Sequence, residues 1–236
     1  MNGIIKLLPL LLISFSLGAQ TKNTMTLSPK QINLITIASY TAQGDLTKLN
    51  TALNAGLDAG LTVNEAKEAL VQLYAYCGFP RSLRGINTLI EVLKERKAKG
   101  ITDTPGREAS AITDSRNKYD RGAEILGKLS GVKETGPKTG YAAFAPEIEV
   151  FLKEHLFADI FERDVLNYQE RELVTVSVLS SIGGVEPMLQ SHLGLCLNVG
   201  VTPDQLRQLM KVIKTTTPKD DAASAEAVLN EVLSKK

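Results

Sequence analysis

The stretch Arg171-Glu172-Leu173-Val174-Thr175-Val176, continuing through His192 to Gly200-Val201-Thr202-Pro203-Asp204-Gln205, has a near-copy earlier in the chain. Leu166 to Gly183 repeats the pattern of Leu27 to Gly44 at an offset of 139, so that Leu173 answers Leu34. Ser191 to Met210 repeats Thr51 to Leu70 at an offset of 140. The extra residue of the later copy falls at Gly183-Gly184, where a turn absorbs it. Self-similarity at a fixed spacing is a statement about architecture, and it comes before any motif.

Each copy reads as four helices. In the first, Ser28 caps a helix over Leu27 to Thr41, with Pro29 at its first position and Gln31 at its third. Its apolar residues cover most of its surface, which predicts burial on several sides. A second helix, Leu46 to Asp58, carries a stripe at Leu49, Ala52, Leu53 and Gly56. Thr62-Val63-Asn64-Glu65 is a capping box for the third helix, whose Ala66, Ala69, Leu70 and Leu73 share one face. The turn Tyr74 to Arg81 ends it, because Gly78 accepts a left-handed backbone and Pro80 cannot continue a helix. A fourth helix follows over Ser82 to Lys97. The second copy repeats this plan over Tyr168 to Ser181, Glu186 to Val199, and a third helix capped by Thr202 and Gln205. Leu206, Leu209, Met210 and Ile213 match Ala66, Ala69, Leu70 and Leu73 one for one. The expected fold is all-α: two four-helix repeats, 27–97 and 147–236, packed together, with the apolar first helices forming an interface either between the repeats or between subunits. Residues 98–146 between them form a linker with a helix over Ser115 to Leu129 and an exposed loop over Gly131 to Gly140. An amphipathic helix, Glu147 to Phe161, then turns Ile148, Phe151, Leu152, Leu156 and Ile160 inward.

The 27 positive and 26 negative side chains leave a net charge of +1, which offers nucleic acid no basic face. The first residues differ from the rest. Lys6 precedes a nearly unbroken apolar run, Leu7 to Leu17, then small Gly18-Ala19 and polar residues. This is the pattern of a secretory signal peptide over 1–19, and it predicts a periplasmic or secreted protein with no stable membrane span after its removal. Export would permit a disulfide between Cys77 and Cys196, the only two cysteines, although isolated cysteines on helices are usually simply buried.

Comparison of the copies singles out the side chains that the scaffold does not need. His192 lies on the apolar stripe of its helix, and its counterpart is Ala52. Imidazole is the usual group for proton transfer near neutral pH. Glu172, whose counterpart is Asn33, would orient that imidazole. The alternatives are a hydrogen-bonded core histidine and a solvated carboxylate at a helix start. Cys196 follows His192 by four residues on the same face, and Gly56 replaces it in the first copy. Cys77 stands at a helix carboxyl end, where the helix dipole disfavours a thiolate. His155 reads as a surface residue. The two histidines and two cysteines lack the spacing of a metal site, and there is no Gly-rich phosphate loop or Gly-x-Ser-x-Gly.

Taken together, Arg171-Glu172-Leu173-Val174-Thr175, His192 with Gly200-Val201-Thr202 eight residues on, Tyr76-Cys77-Gly78-Phe79-Pro80-Arg81 and Phe157-Ala158-Asp159-Ile160-Phe161 resemble the carboxymuconolactone decarboxylase family of the AhpD-like (alkylhydroperoxidase D) superfamily. The resemblance covers about Leu27 to Leu93 and Tyr141 to Leu233. It implies ring-like homo-oligomers, here a trimer acting as a pseudo-hexamer. It also implies either cofactor-free decarboxylation of a small carboxylated substrate or thiol-dependent peroxide reduction. His192 matches the family histidine and Glu172 the glutamate before it. The peroxidase branch places cysteines seven and four residues before its histidine, where this chain has Val185 and Met188. A peroxidase here would need Cys77 or Cys196 as its thiol.

The family motifs are also divided between the copies. The second has Glu172 and His192 but Lys214-Thr215-Thr216-Thr217-Pro218 in place of the turn; the first has the turn but Asn33 and Ala52. The expectation is one composite pocket per chain. In it His192 is the general acid/base, Glu172 its orienter, and Tyr76 and Arg81 line the pocket, with Arg81 holding a substrate carboxylate. A non-catalytic oligomeric binding protein is the remaining alternative.

Overall fold

The computed structural model describes residues 26–133 and 135–235, so the expected signal peptide lies outside the described residues. Helix is the regular secondary structure of those residues, with no strand among them. The first repeat comprises α1 (Pro29–Gln43), α2 (Leu46–Asp58), α3 (Val63–Gln72) and α4 (Tyr74–Ala98). The linker contributes α5 (Lys118–Ser130), α6 (Gly140–Phe144) and α7 (Pro146–Phe151), and α7 runs on into a π-helical segment, Leu152–Phe161. The second repeat comprises α8 (Tyr168–Ile182), α9 (Glu186–Asn198), α10 (Pro203–Thr216) and α11 (Lys219–Ser234).

Local signals account for the boundaries. Ser28 with Gln31, Thr62 with Glu65, and Thr202 with Gln205 each form both halves of a capping box. Gly44 closes α1 at φ 74°, a conformation that favours glycine. The break expected at Tyr74 to Arg81 is sharper than a loop. Helical geometry resumes at once, and only Gly78 leaves it, at φ 79° and ψ 161°. Residues 74–98 are therefore one kinked element, and Tyr76 sits just before the kink.

The apolar first helices do meet. In α8 every residue from Arg171 to Ser181 is buried, and α1 packs along it. One continuous core holds both repeats, from Leu34, Ile35 and Leu53 to Leu173, Leu193 and Ile213. A smaller cluster joins α5 to the π-helical segment through Ile125, Leu129, Leu156, Phe157, Ile160 and Phe161.

The linker is tied to this body. The amides of Val63 and Asn64, free at the start of α3, donate to the carbonyls of Thr104 and Pro105. Arg96 holds Asp103 through Nη2 at 2.8 Å. Where α5 crosses the π-helical segment the two backbones touch at Gly122, where a Cβ would overlap the Lys153 carbonyl. We expect Gly122→Ala to lower stability by about 1–3 kcal/mol through overpacking, read as a shift in the urea midpoint.

The expectation for the 147–161 helix needs correction. Leu156 and Ile160 are buried, but Ile148 is 47% and Phe151 is 53% exposed. The wider π turn changes the angle per residue, so side chains spaced for a 3.6-residue turn leave the common face. Ile148 and Phe151 instead flank an apolar groove with Tyr74 and Phe79, whose rings stack at 4.7 Å.

Candidate functional site

The site forms where the start of α4 in the first repeat meets α8 and α9 in the second. Glu172 is on the second turn of α8 and is fully buried. Its Oε2 lies 2.8 Å from Nδ1 of His192, which projects from α9 and keeps 14% of its side chain exposed. A carboxylate only accepts, so Nδ1 carries the hydrogen of this bond, and Nε2 is the ring atom left to take or give a proton. Tyr76 reaches this pair from the other repeat. Its ring meets the imidazole edge-on, with centroids 5.8 Å apart and planes at 80°.

Two buried polar atoms here lack protein partners, Oε1 of Glu172 and the hydroxyl of Tyr76. Unsatisfied buried groups are costly, and in a native site they mark places that a ligand or water serves. Burial pushes the Tyr76 phenol well above the usual tyrosine range, and the Glu172 charge adds to the effect. Tyr76 is thus held as a neutral hydrogen-bond donor.

The other sequence candidates lie differently. Cys196 is fully buried and unpaired in a disulfide; burial raises its pKa well above the usual value, and Glu172 raises it further. Cys77 is also free. It donates to the Leu73 carbonyl at 3.2 Å, and burial pushes its thiol up to about 11 although the Arg81 charge pulls the other way. Neither thiol is prepared to be a thiolate at neutral pH. Both are expected to react slowly with a disulfide reagent at pH 7.5 in the folded protein and rapidly in urea. Arg81 is exposed, and its guanidinium packs against Gly44 past the end of α1. His155, 55% exposed, pairs with Asp159 at 3.1 Å. No group of three or more His, Cys, Asp or Glu among the described residues could hold a metal ion.

Sequence reasoning missed the polar group behind Tyr76. Arg171 is completely buried; its Nη2 donates to Glu68 Oε2 at 3.2 Å and to the Arg163 carbonyl at 2.6 Å, and Nη1 donates to Gln72 Oε1 at 3.0 Å. Arg163 binds the same Glu68 at 2.6 Å. Burial would raise the Glu68 pKa, but the two guanidiniums outweigh it and hold the carboxyl below its usual range. A signal existed in the duplication: at the same offsets Arg171 answers Ile32 and Gln72 answers Val212.

The mirror position has no such site. Thr216 stands where Tyr76 stands, and it joins Ser39, Ser181 and Thr217 in a buried hydroxyl cluster with bonds of 2.9–3.0 Å. Asn33 turns its amide to its own helix, at the Pro29 carbonyl, and Ala52 offers no proton.

An all-α tandem repeat with one buried glutamate–histidine pair, completed by a tyrosine from the other repeat, defines the class of protein. The sequence pattern of the Carboxymuconolactone decarboxylase family matches residues 15–91 and 146–231, and the chain belongs to that family. It is similar to a 4-carboxymuconolactone decarboxylase from Acinetobacter baylyi (strain ATCC 33305 / BD413 / ADP1), with 29% identity over 98 residues, 41% of this chain and 72% of that one. No described helix is long and apolar enough to cross a membrane.

Proposed function

We propose that the protein is a cofactor-free acid/base enzyme that decarboxylates, or otherwise rearranges, a small carboxylated lactone or keto acid. The observation that carries this reading is the 2.8 Å contact between His192 Nδ1 and Glu172 Oε2 beside the Tyr76 ring. When the bond to a carboxylate next to a conjugated carbonyl breaks, CO2 leaves and the electron pair moves onto the carbonyl oxygen. Tyr76 would donate a hydrogen bond to that oxygen as charge develops. His192 Nε2 would then deliver a proton to carbon, and Glu172 would stabilise the imidazolium before and the oriented imidazole after the transfer.

The raised thiols give a peroxidase reading no support. Export on the apolar run Leu7 to Leu17, and assembly as a trimer of tandem chains, are parts of the same proposal. The test is incubation of the purified protein with 4-carboxymuconolactone, following released CO2. Turnover that disappears with Cys77→Ser and Cys196→Ser would contradict the reading, as would no turnover at all. Turnover that survives both substitutions and is lost with Glu172→Ala supports it.

A further inference from the structure

The groove beside the start of α4 has the lining of a ligand site. Its walls are rings: Tyr74 stacks on Phe79 on one side, and Phe151 tilts against His155 on the other, with centroids 6.0 Å apart. Ile148 and the buried Leu156 complete the apolar surface. The volume is about 390 Å³, within the range of small-molecule pockets. Phe79 is 63% exposed, so with Ile148 and Phe151 the protein keeps three large apolar side chains in water along one cleft. Apolar side chains scattered singly over a surface need no explanation, but a cluster of them marks a binding surface.

His155 brings a polar group into this lining. Its Nδ1 lies 3.1 Å from Asp159 Oδ2. A carboxylate only accepts, so Nδ1 carries the hydrogen, and in the neutral ring Nε2 is then an acceptor. Lys118 Nζ sits 2.8 Å from the other oxygen of Asp159, Oδ1, and offsets its charge. No Lys, Arg, Asp or Glu among the described residues lines the groove itself. The groove therefore offers flat apolar walls, an imidazole acceptor and no net charge. The complementary ligand has an aromatic ring, an O–H donor and no charge.

We propose that this groove binds a small neutral phenol, with its ring between the Tyr74–Phe79 stack and Phe151 and its hydroxyl donated to His155 Nε2. The site is separate from the one at His192. Tyr74 and Ala75 line the groove, whereas Tyr76 of the same short turn meets His192. Binding in the groove does not depend on the chemistry proposed for His192.

The chain has two histidines, His155 and His192, which makes the test direct. The full-length protein is labelled with histidine at 13Cε1, and the two signals are assigned with His155→Leu. At pH 8, where imidazole is ordinarily neutral, it is titrated with 2-naphthol and with 2-methoxynaphthalene, which has the same rings but no hydroxyl proton. 2-Naphthol is expected to move the His155 signal saturably, at lower concentration than any change at His192. It should bind about 3- to 10-fold more tightly than the ether, the difference that one hydrogen bond makes. In His155→Leu, followed by the fluorescence anisotropy of the naphthalene ring, the two probes should reach equal affinity. Phe151→Ala should weaken both by about 5-fold or more. Both side chains are more than half exposed, and circular dichroism checks that the variants fold. A response confined to the His192 signal overturns the proposal. So does a His155 signal that neither probe moves, including the case in which Phe151→Ala dissociates the protein and the groove belongs to a second copy. Equal affinity of the two probes for the wild type overturns the phenol as the ligand.

Discussion

Replacing His192 with alanine is expected to lower kcat/KM on 4-carboxymuconolactone by about 10²- to 10⁴-fold, the range for losing a positioned general acid or base. The fold should survive, because the first repeat already carries Ala52 at this position and buries it in the same core. Glu172→Gln should cost less. Its amide oxygen can still accept from Nδ1, but a neutral partner stabilises the imidazolium poorly. The ordering of the two losses separates proton transfer from orientation. It is measured by steady-state kinetics with circular dichroism as a control, and a His192→Ala enzyme retaining more than half its activity would remove this residue from the chemistry.

The second large effect is on stability. Glu68 is the one carboxylate that both Arg163 and the fully buried Arg171 contact among the described residues. Glu68→Gln would leave the Arg171 guanidinium in the core without its counter-charge, and breaking a buried pair in this way costs about 3–5 kcal/mol. That is a large fraction of the roughly 5–15 kcal/mol by which a domain is stable. The pH dependence follows with its sign. The folded Glu68 titrates below its usual 4.5, so its contribution is present above that pH and is lost as pH falls through the lowered value. Urea titrations at pH 7 and pH 4 should show the wild type losing stability on acidification more than Glu68→Gln does. Equal acid sensitivity in the two proteins would mean that Glu68 is not linked to folding.

Both effects converge on the junction between repeats, and they mark how far the sequence could be read. The four-helix plan was legible because its signals are local. Thr62 and Thr202 cap their helices through a residue three positions on, and Gly44 closes α1 by its backbone. Glu172 and His192 stood out because a second copy of the scaffold shows Asn33 and Ala52 in their places. What was not legible depends on contacts between distant segments. The turn of 152–161, which packs against α5, is π-helical, so a 3.6-residue period misplaced Ile148 and Phe151. The bonds from Val63 and Asn64 to 104 and 105 are tertiary, so the linker looked looser than it is. Tyr76 and Arg81 share one motif, yet Gly78 lies between them at φ 79°. The kink sends Tyr76 to His192 and Arg81 to Gly44.

The central claim is that side chains from both repeats act as one site. A double-mutant cycle on kcat/KM with 4-carboxymuconolactone, combining Tyr76→Phe with His192→Ala, tests it most directly. Groups that work as a unit are strongly non-additive. Tyr76→Phe should therefore cost about 10-fold or more in the wild type, as a lost hydrogen-bond donor to developing charge, and almost nothing once His192 is gone. The same loss from Tyr76→Phe in both backgrounds would show that the two residues act independently, and would contradict a composite site.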